Sequence, residues 1–193
     1  LADTIASLCE GQVRELQHTF DVDRSEEAYF QSISGKTAVL LAAAGRVGAL
    51  VADHPRHLVE AVTSFGHFYG MAFQVIDDVL DVVATDEQLG KPAGNDLVEG
   101  VYTLPVIRAL TGPAGQQLRH LLGGPIDAAA RDQARDLVRQ DEAMGSAMAT
   151  AVDYTNRARS ALNDLSPTPA LATLQMTCDL LLDRANDVAG THF

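Results

Sequence analysis

The chain is poor in several of the residues on which common functions rest. Among its 193 residues there are two cysteines, Cys9 and Cys178, far apart and without a second cysteine at metal or redox spacing. Neither a disulfide framework nor a zinc site is expected, and a reducing cytoplasm fits best. Positive charge is scarce: 14 Lys and Arg stand against 26 Asp and Glu, a formal charge of −12 at pH 7. That balance excludes a sequence-independent hold on nucleic acid, which needs a cationic surface. Long apolar runs are missing too. The longest, residues 37–52, is interrupted by Arg46 and is shorter than the ~20 residues of a membrane helix, so it reads as a buried helix and no transmembrane segment is expected. No positively charged leader opens the sequence, so secretion has no support.

Strict alternation of apolar and polar residues is absent as well, which removes the signal of half-buried strands. What remains is a chain rich in Ala, Leu, Val, Asp and Arg, 47% hydrophobic, that reads as nearly all helix around a sizeable core. Breaks are expected at residues 21–24, 53–55, 90–94, 112–113, 123–125 and 167–169, where turn formers coincide with lost periodicity. Ser25, Asp53, Ser166 and Thr168 each stand where a helix can start. No repeat or composition shift marks a second domain, so residues 1–193 are expected to form a single helical domain. The acids Asp127, Asp132, Asp136 and Asp141 alternate with Arg131, Arg135 and Arg139, a pattern of ion pairs on a solvated helix face.

Residues 63–83, TSFGHFYGMAFQVIDDVLDVV, run without proline and carry the most informative side chains. At about 100° per residue, Asp77, Asp78 and Asp81 fall within about 60° of Gln74, with Gly66, His67 and Gly70 on the same side. The opposite side holds Phe65, Phe68, Tyr69, Ala72, Ile76, Val79, Leu80 and Val83, an apolar face for a core. Three carboxylates a turn apart repel one another and call for compensation. Mg²⁺ is the natural candidate, because it takes one or two carboxylates and completes its shell with water and phosphate oxygens. The small residues on that face would leave room for a ligand; the competing reading is a solvated acidic face. Ser34-Gly35-Lys36-Thr37 suggests a phosphate-binding P-loop, but Phe30 stands where that pattern needs glycine and no buried strand precedes it.

The run Phe73-Gln74-Val75-Ile76-Asp77-Asp78-Val79-Leu80-Asp81 resembles the second aspartate-rich motif of the trans-isoprenyl diphosphate synthases. Leu89-Gly90-Lys91-Pro92, Asp96-Leu97 and Thr103-Leu104-Pro105 resemble the family's downstream elements in order and spacing. Lys36-Thr37 is similar to its upstream Lys-Thr pair, and residues 11–16 to an earlier helix. The resemblance implies an all-α antiparallel helix bundle around a central pocket. It also implies a prenyltransferase that condenses an allylic diphosphate with isopentenyl diphosphate by Mg²⁺-assisted ionisation. By that resemblance Asp77, Asp78 and Asp81 hold Mg²⁺ directly or through water, and Lys36 and Lys91 contact the diphosphate. Gln74 and Thr37 place oxygen dipoles near the carbocation, and Phe73 lines the hydrocarbon cavity. A homodimer is implied as well.

Two departures qualify the match. Val101 stands where the family usually has a lysine before Thr-Leu-Pro, which removes one cation. The family's first aspartate-rich motif and its basic site for isopentenyl diphosphate precede the helix with which this chain opens, so the chain is expected to be the C-terminal portion of a larger synthase, inactive alone. The alternatives are a non-catalytic partner subunit of such a synthase, and a terpene cyclase-like protein; the Lys-Thr and Thr-Leu-Pro elements favour chain elongation over cyclisation.

Overall fold

Pro55, with φ −65°, sets the entry to the longest helix, which then runs 28 residues without another proline, from Arg56 to Val83, about 42 Å at 1.5 Å per residue. This helix, α4, begins a full two turns before the periodic segment at residue 63. Asp53 does not cap it: the residue adopts a left-handed φ of 54° in the preceding turn, and no side chain closes the first turn of α4. The computed structural model describes residues 1–89 and 93–189. Around α4 stand α1 (Ala2–Gln17), α2 (Glu26–Ile33), a π-helical turn (Ser34–Ala38), α3 (Val39–Val51), α5 (Asp86–Leu89), α6 (Asn95–Glu99), α7 (Leu104–Thr111), α8 (Gly115–Leu121), α9 (Ala128–Arg139), α10 (Ala143–Ala161) and α11 (Pro169–Ala189). No strand occurs among the described residues.

The expected caps hold at two other starts. Ser25 Oγ accepts from the Ala28 amide at 3.1 Å and Thr168 Oγ1 from the Leu171 amide at 3.1 Å. Asp127 caps α9 by accepting from the Ala130 amide.

α3 and α4 pack antiparallel, since Gly45 meets Val62, Gly66 meets Leu41 and Gly70 meets Ala38. The approach is close enough that a Cβ added to Gly66 would lie 2.4 Å from the Leu41 carbonyl oxygen, and one on Gly70 2.6 Å from Ala38 Cα. These glycines therefore let two backbones meet, and do not open room for a ligand as their place on the helical wheel suggested. The other side of α4 packs into the main core: Val75, Ile76, Val79 and Leu80 meet Val106 and Leu110 of α7, Val138 of α9, and Ala147 and Ala151 of α10. α3 is less buried than its composition suggested. Ala42 and Ala49 face inward, while Leu40, Val47, Leu50 and Val51 are exposed. The helical stretch Glu26–Val51 is long and apolar enough to cross a membrane by length and composition, with 22% of that window buried.

The arginines of α9 do more than pair with neighbouring acids. Arg131 pairs with Asp132 and Arg139 with Asp136. Arg135, however, is buried and donates to the carbonyl oxygens of Val82 at 3.1 Å and Ala84 at 2.7 Å, and Arg139 donates to those of Val82 and Val83 at 2.9 Å each. The last carbonyls of a helix have no partner within it and carry partial negative charge, so two guanidinium groups there satisfy hydrogen bonding and dipole together. They fix the end of α4 two residues beyond Asp81. Arg135→Ala is expected to lower stability in urea unfolding by about 3 kcal/mol, from two lost charge-assisted bonds and their orphaned carbonyls. The half-exposed Arg139, replaced in the same way, should cost about 1 kcal/mol.

Candidate functional site

Lys36 and Thr37 occupy the π-helical turn, where the helix widens between α2 and α3. Such single-turn widenings redirect side chains and concentrate at functional sites. Here α1 presses on the turn through two glycines. A Cβ on Gly11 would lie 2.4 Å from the Lys36 amide nitrogen, and one on Gly35 would lie 2.9 Å from the Ser7 carbonyl oxygen. One helical turn beyond Gly11, Glu15 meets the Lys36 ammonium at 2.6 Å, with Glu15 only 7% exposed. Nothing in the sequence singled out Glu15. Its spacing from Gly11 puts both on one face of α1, but that face gains meaning only once Gly11 is known to touch Gly35.

From Thr37 a line of hydrogen bonds runs into the core. Thr37 Oγ1 donates to Gln74 Oε1 at 2.7 Å, Gln74 Nε2 donates to Asp78 Oδ1 at 2.8 Å, and the Tyr29 hydroxyl donates to Asp78 Oδ2 at 2.6 Å. Burial raises the Tyr29 phenol well above its ordinary range, and the neighbouring Asp78 charge adds to this, so it stays a donor. Burial also raises the Asp78 carboxyl from 3.8 to about 6, against the hydrogen bonds from Tyr29 and Gln74 and the charge of Lys36. Below Tyr29, the buried Arg24 guanidinium lies 5.6 Å from the ring centroid and donates to the Tyr102 carbonyl at 2.9 Å.

The three carboxylates are not displayed alike. Asp77 is half-buried and has no hydrogen bond or ion pair among the described residues. Asp78 and Asp81 are each 3% exposed. Asp81 Oδ2 accepts from the Asp96 amide at 3.3 Å, which ties α4 to the start of α6. Among the described residues no group of three or more His, Cys, Asp or Glu side chains could by itself hold a metal ion. Mg²⁺ asks for less, since one or two carboxylates suffice when phosphate oxygens complete the shell.

The remaining candidates are scattered. Phe73 is 37% exposed on α4. Lys91 lies outside the described residues. Val101 is half-buried in the turn after α6, where its amide donates to the Asp96 carbonyl at 2.8 Å. His67 is lowered by burial and by Arg157 of α10, whose guanidinium lies 4.2 Å over the Phe68 ring.

The raised carboxyl of Asp78 has a consequence for pH. Between 3.8 and about 6 the folded chain binds a proton that the unfolded chain releases, so this group's contribution to stability is greatest at low pH and is lost as pH rises through about 6. In metal-free buffer, lowering pH from 7 to 5 should stabilise the protein relative to Asp78→Asn by about 1 kcal/mol, measured by urea unfolding. A difference between the two proteins that does not change with pH would contradict the buried state of this carboxyl.

Comparison with known proteins identifies the family. Residues 1–140 match the family model for polyprenyl synthetase. The chain is 35% identical over 175 residues to heptaprenyl diphosphate synthase component 2 of Geobacillus stearothermophilus, covering 91% of this chain and 55% of that protein. It is 36% identical over 187 residues to nonaprenyl diphosphate synthase of Mycobacterium tuberculosis, covering 95% of this chain and 56% of that one. It thus spans about half the length of these curated relatives. Among solved structures, the polyprenyl synthase of Caulobacter crescentus complexed with calcium and isoprenyl diphosphate superposes with a TM-score of 0.90 at 32% identity, over 96% of this chain and 58% of that one. The match to the family model takes in α1, the π-helical turn and the whole of α4, and the chain belongs to the polyprenyl synthetase family.

Proposed function

We propose that this chain carries one wall of a trans-prenyltransferase site, in which an allylic diphosphate is ionised with Mg²⁺ and condensed with isopentenyl diphosphate into a linear prenyl diphosphate. The observation that carries the reading is the unbroken line from Thr37 through Gln74 to Asp78, flanked by Lys36 on one side and Asp77 on the other. It sets an ammonium, two oxygen dipoles and a carboxylate with no partner among the described residues along one face of α4 and the turn beside it. Asp77 would hold Mg²⁺ directly, with Asp78 and Asp81 reaching it through water. The ion supplies charge neutralisation for the departing diphosphate. Lys36 adds a point charge toward the same group, steadied by Glu15. The oxygens of Thr37 and Gln74 would face the carbocation, and Phe73, exposed on this chain, would meet the hydrocarbon. Lys91 is assigned to the diphosphate by motif alone. Neighbours of known structure that hold calcium and isoprenyl diphosphate support the pairing of a divalent ion with this substrate class.

The other part of the site would come from the rest of a larger synthase or from a companion subunit. The relative described as component 2 of its synthase favours a companion, and the exposed apolar residues Ile5, Leu16, Leu40 and Leu50 on α1 and α3 offer a surface for one, or for a second copy of the chain. Two unpaired cysteines, Cys9 exposed and Cys178 buried, fit the reducing cytoplasm. The reading is tested by condensation of radiolabelled isopentenyl diphosphate with an allylic primer in Mg²⁺, with this chain assembled in its synthase. Asp77→Ala and Lys36→Ala should each lower kcat/KM by about 10²-fold. Parental activity in either variant would remove that residue from the site, and activity that needs an added second chain would favour the companion arrangement.

A further inference from the structure

Tyr29 has no part in the reading above, yet it is 1% exposed and gives its one hydroxyl hydrogen to Asp78. An ionised carboxylate only accepts hydrogen bonds. The second oxygen of Asp78 therefore draws the NH₂ end of Gln74 toward itself and leaves the carbonyl end to Thr37. Thr37 occupies one lone pair of that carbonyl oxygen, and no other donor to it is found among the described residues. A lone primary amide can sit either way round. Here the Asp78 carboxylate alone removes the choice, because it only accepts, whereas the Thr37 hydroxyl could meet either end of the amide. Arg24, bonded to the Tyr102 carbonyl and lying 5.6 Å from the Tyr29 ring centroid, buttresses the phenol from below.

We infer that Tyr29 is a positioning residue of the site: by pinning Asp78 it fixes the Gln74 amide with its oxygen toward the reacting carbon, where a flipped NH₂ would oppose developing positive charge. The inference rests on the proposed role of Gln74 beside a carbocation. A dipole aligned before reaction stabilises new charge without reorganising, so its orientation matters more than its presence. Asp78 is on this account a positioning residue as well, acting through Gln74, whatever water-mediated contact it makes with an ion. Tyr29 is separated from Asp78 by 49 positions, and no local pattern joins the two.

The test compares two ligands by calorimetry, each with Mg²⁺. One is an allylic diphosphate analogue with a tertiary ammonium in place of the cationic carbon; the other is its neutral isostere of equal length. The ratio of their affinities cancels what diphosphate and hydrocarbon contribute and reads the field at the reacting carbon. The wild type should prefer the ammonium by about tenfold, and Tyr29→Phe should reduce this to about twofold. Asp78→Asn, whose own NH₂ faces Gln74 once its oxygen takes the Tyr29 hydroxyl, should bring the ratio to one or below, and it decides the matter alone if Tyr29→Phe does not fold. Gln74→Ala separates the two claims. If it keeps the wild-type ratio, the carbocation role of Gln74 fails. If it abolishes the ratio while Tyr29→Phe and Asp78→Asn retain it, the positioning inference alone is overturned. A wild type that binds neither analogue overturns both.

Discussion

A carboxylate in the interior of a protein is costly unless its oxygens are paired, and Asp78 is such a group at the middle of this fold. Tyr29 from α2 and Gln74 from its own helix satisfy it, while the charge of Lys36 at the π-helical turn favours its ionised form. One side chain therefore ties α2 to α4, and the π-helical turn joins them through Thr37 and Gln74. α2 must deliver a phenol, the turn must deliver a lysine, and α4 must present Gln74 one turn before the aspartate. An apolar residue at position 78 would break the tie between α2 and α4 and leave the Gln74 amide free to turn.

The backbone makes this possible by coming unusually close at two crossings. Gly11 against Gly35 brings α1 onto the π-helical turn, and Gly66 and Gly70 bring α3 and the end of that turn onto α4. Both crossings lie beside the polar line, and neither tolerates a side chain without displacing backbone. The two arginines of α9 then close the open end of α4 just past Asp81, so that the acidic end of the helix is fixed from outside the site. Rigidity on three sides suits a site in which dipoles and charges act by being already in place.

Much of the fold was legible in the sequence, because helices leave local signatures. The apolar period located α4, Ser25 and Thr168 announced helix starts, and turn-forming clusters marked the joints. Asp53 misled because a residue before X-Pro can serve a tight turn as well as a cap, and its left-handed φ shows that it does the former. The site was half legible. Lys36, Thr37, Gln74 and the acidic run stand out by spacing, and the fold brings Thr37, Gln74 and Asp78 into contact. What spacing could not separate is that neighbouring aspartates on one wheel face differ in burial, Asp77 half-buried and Asp78 and Asp81 buried. Partners from distant segments decide that: Tyr29, Asp96, and the helices that close over α4. Glu15 and Arg135 were missed for the same reason, since a charged side chain on an amphipathic helix reads as solvated until its tertiary partner is known.

The central claim is that the face bearing Lys36, Gln74 and Asp77 binds a diphosphate together with a divalent ion. Calorimetric titration of the 193-residue chain with inorganic pyrophosphate, in the presence of Mg²⁺ and again in EDTA, tests it most directly. The account predicts saturable binding that requires Mg²⁺ and is lost in Asp77→Asn. Binding of equal strength in EDTA, or undiminished in Asp77→Asn, would contradict it.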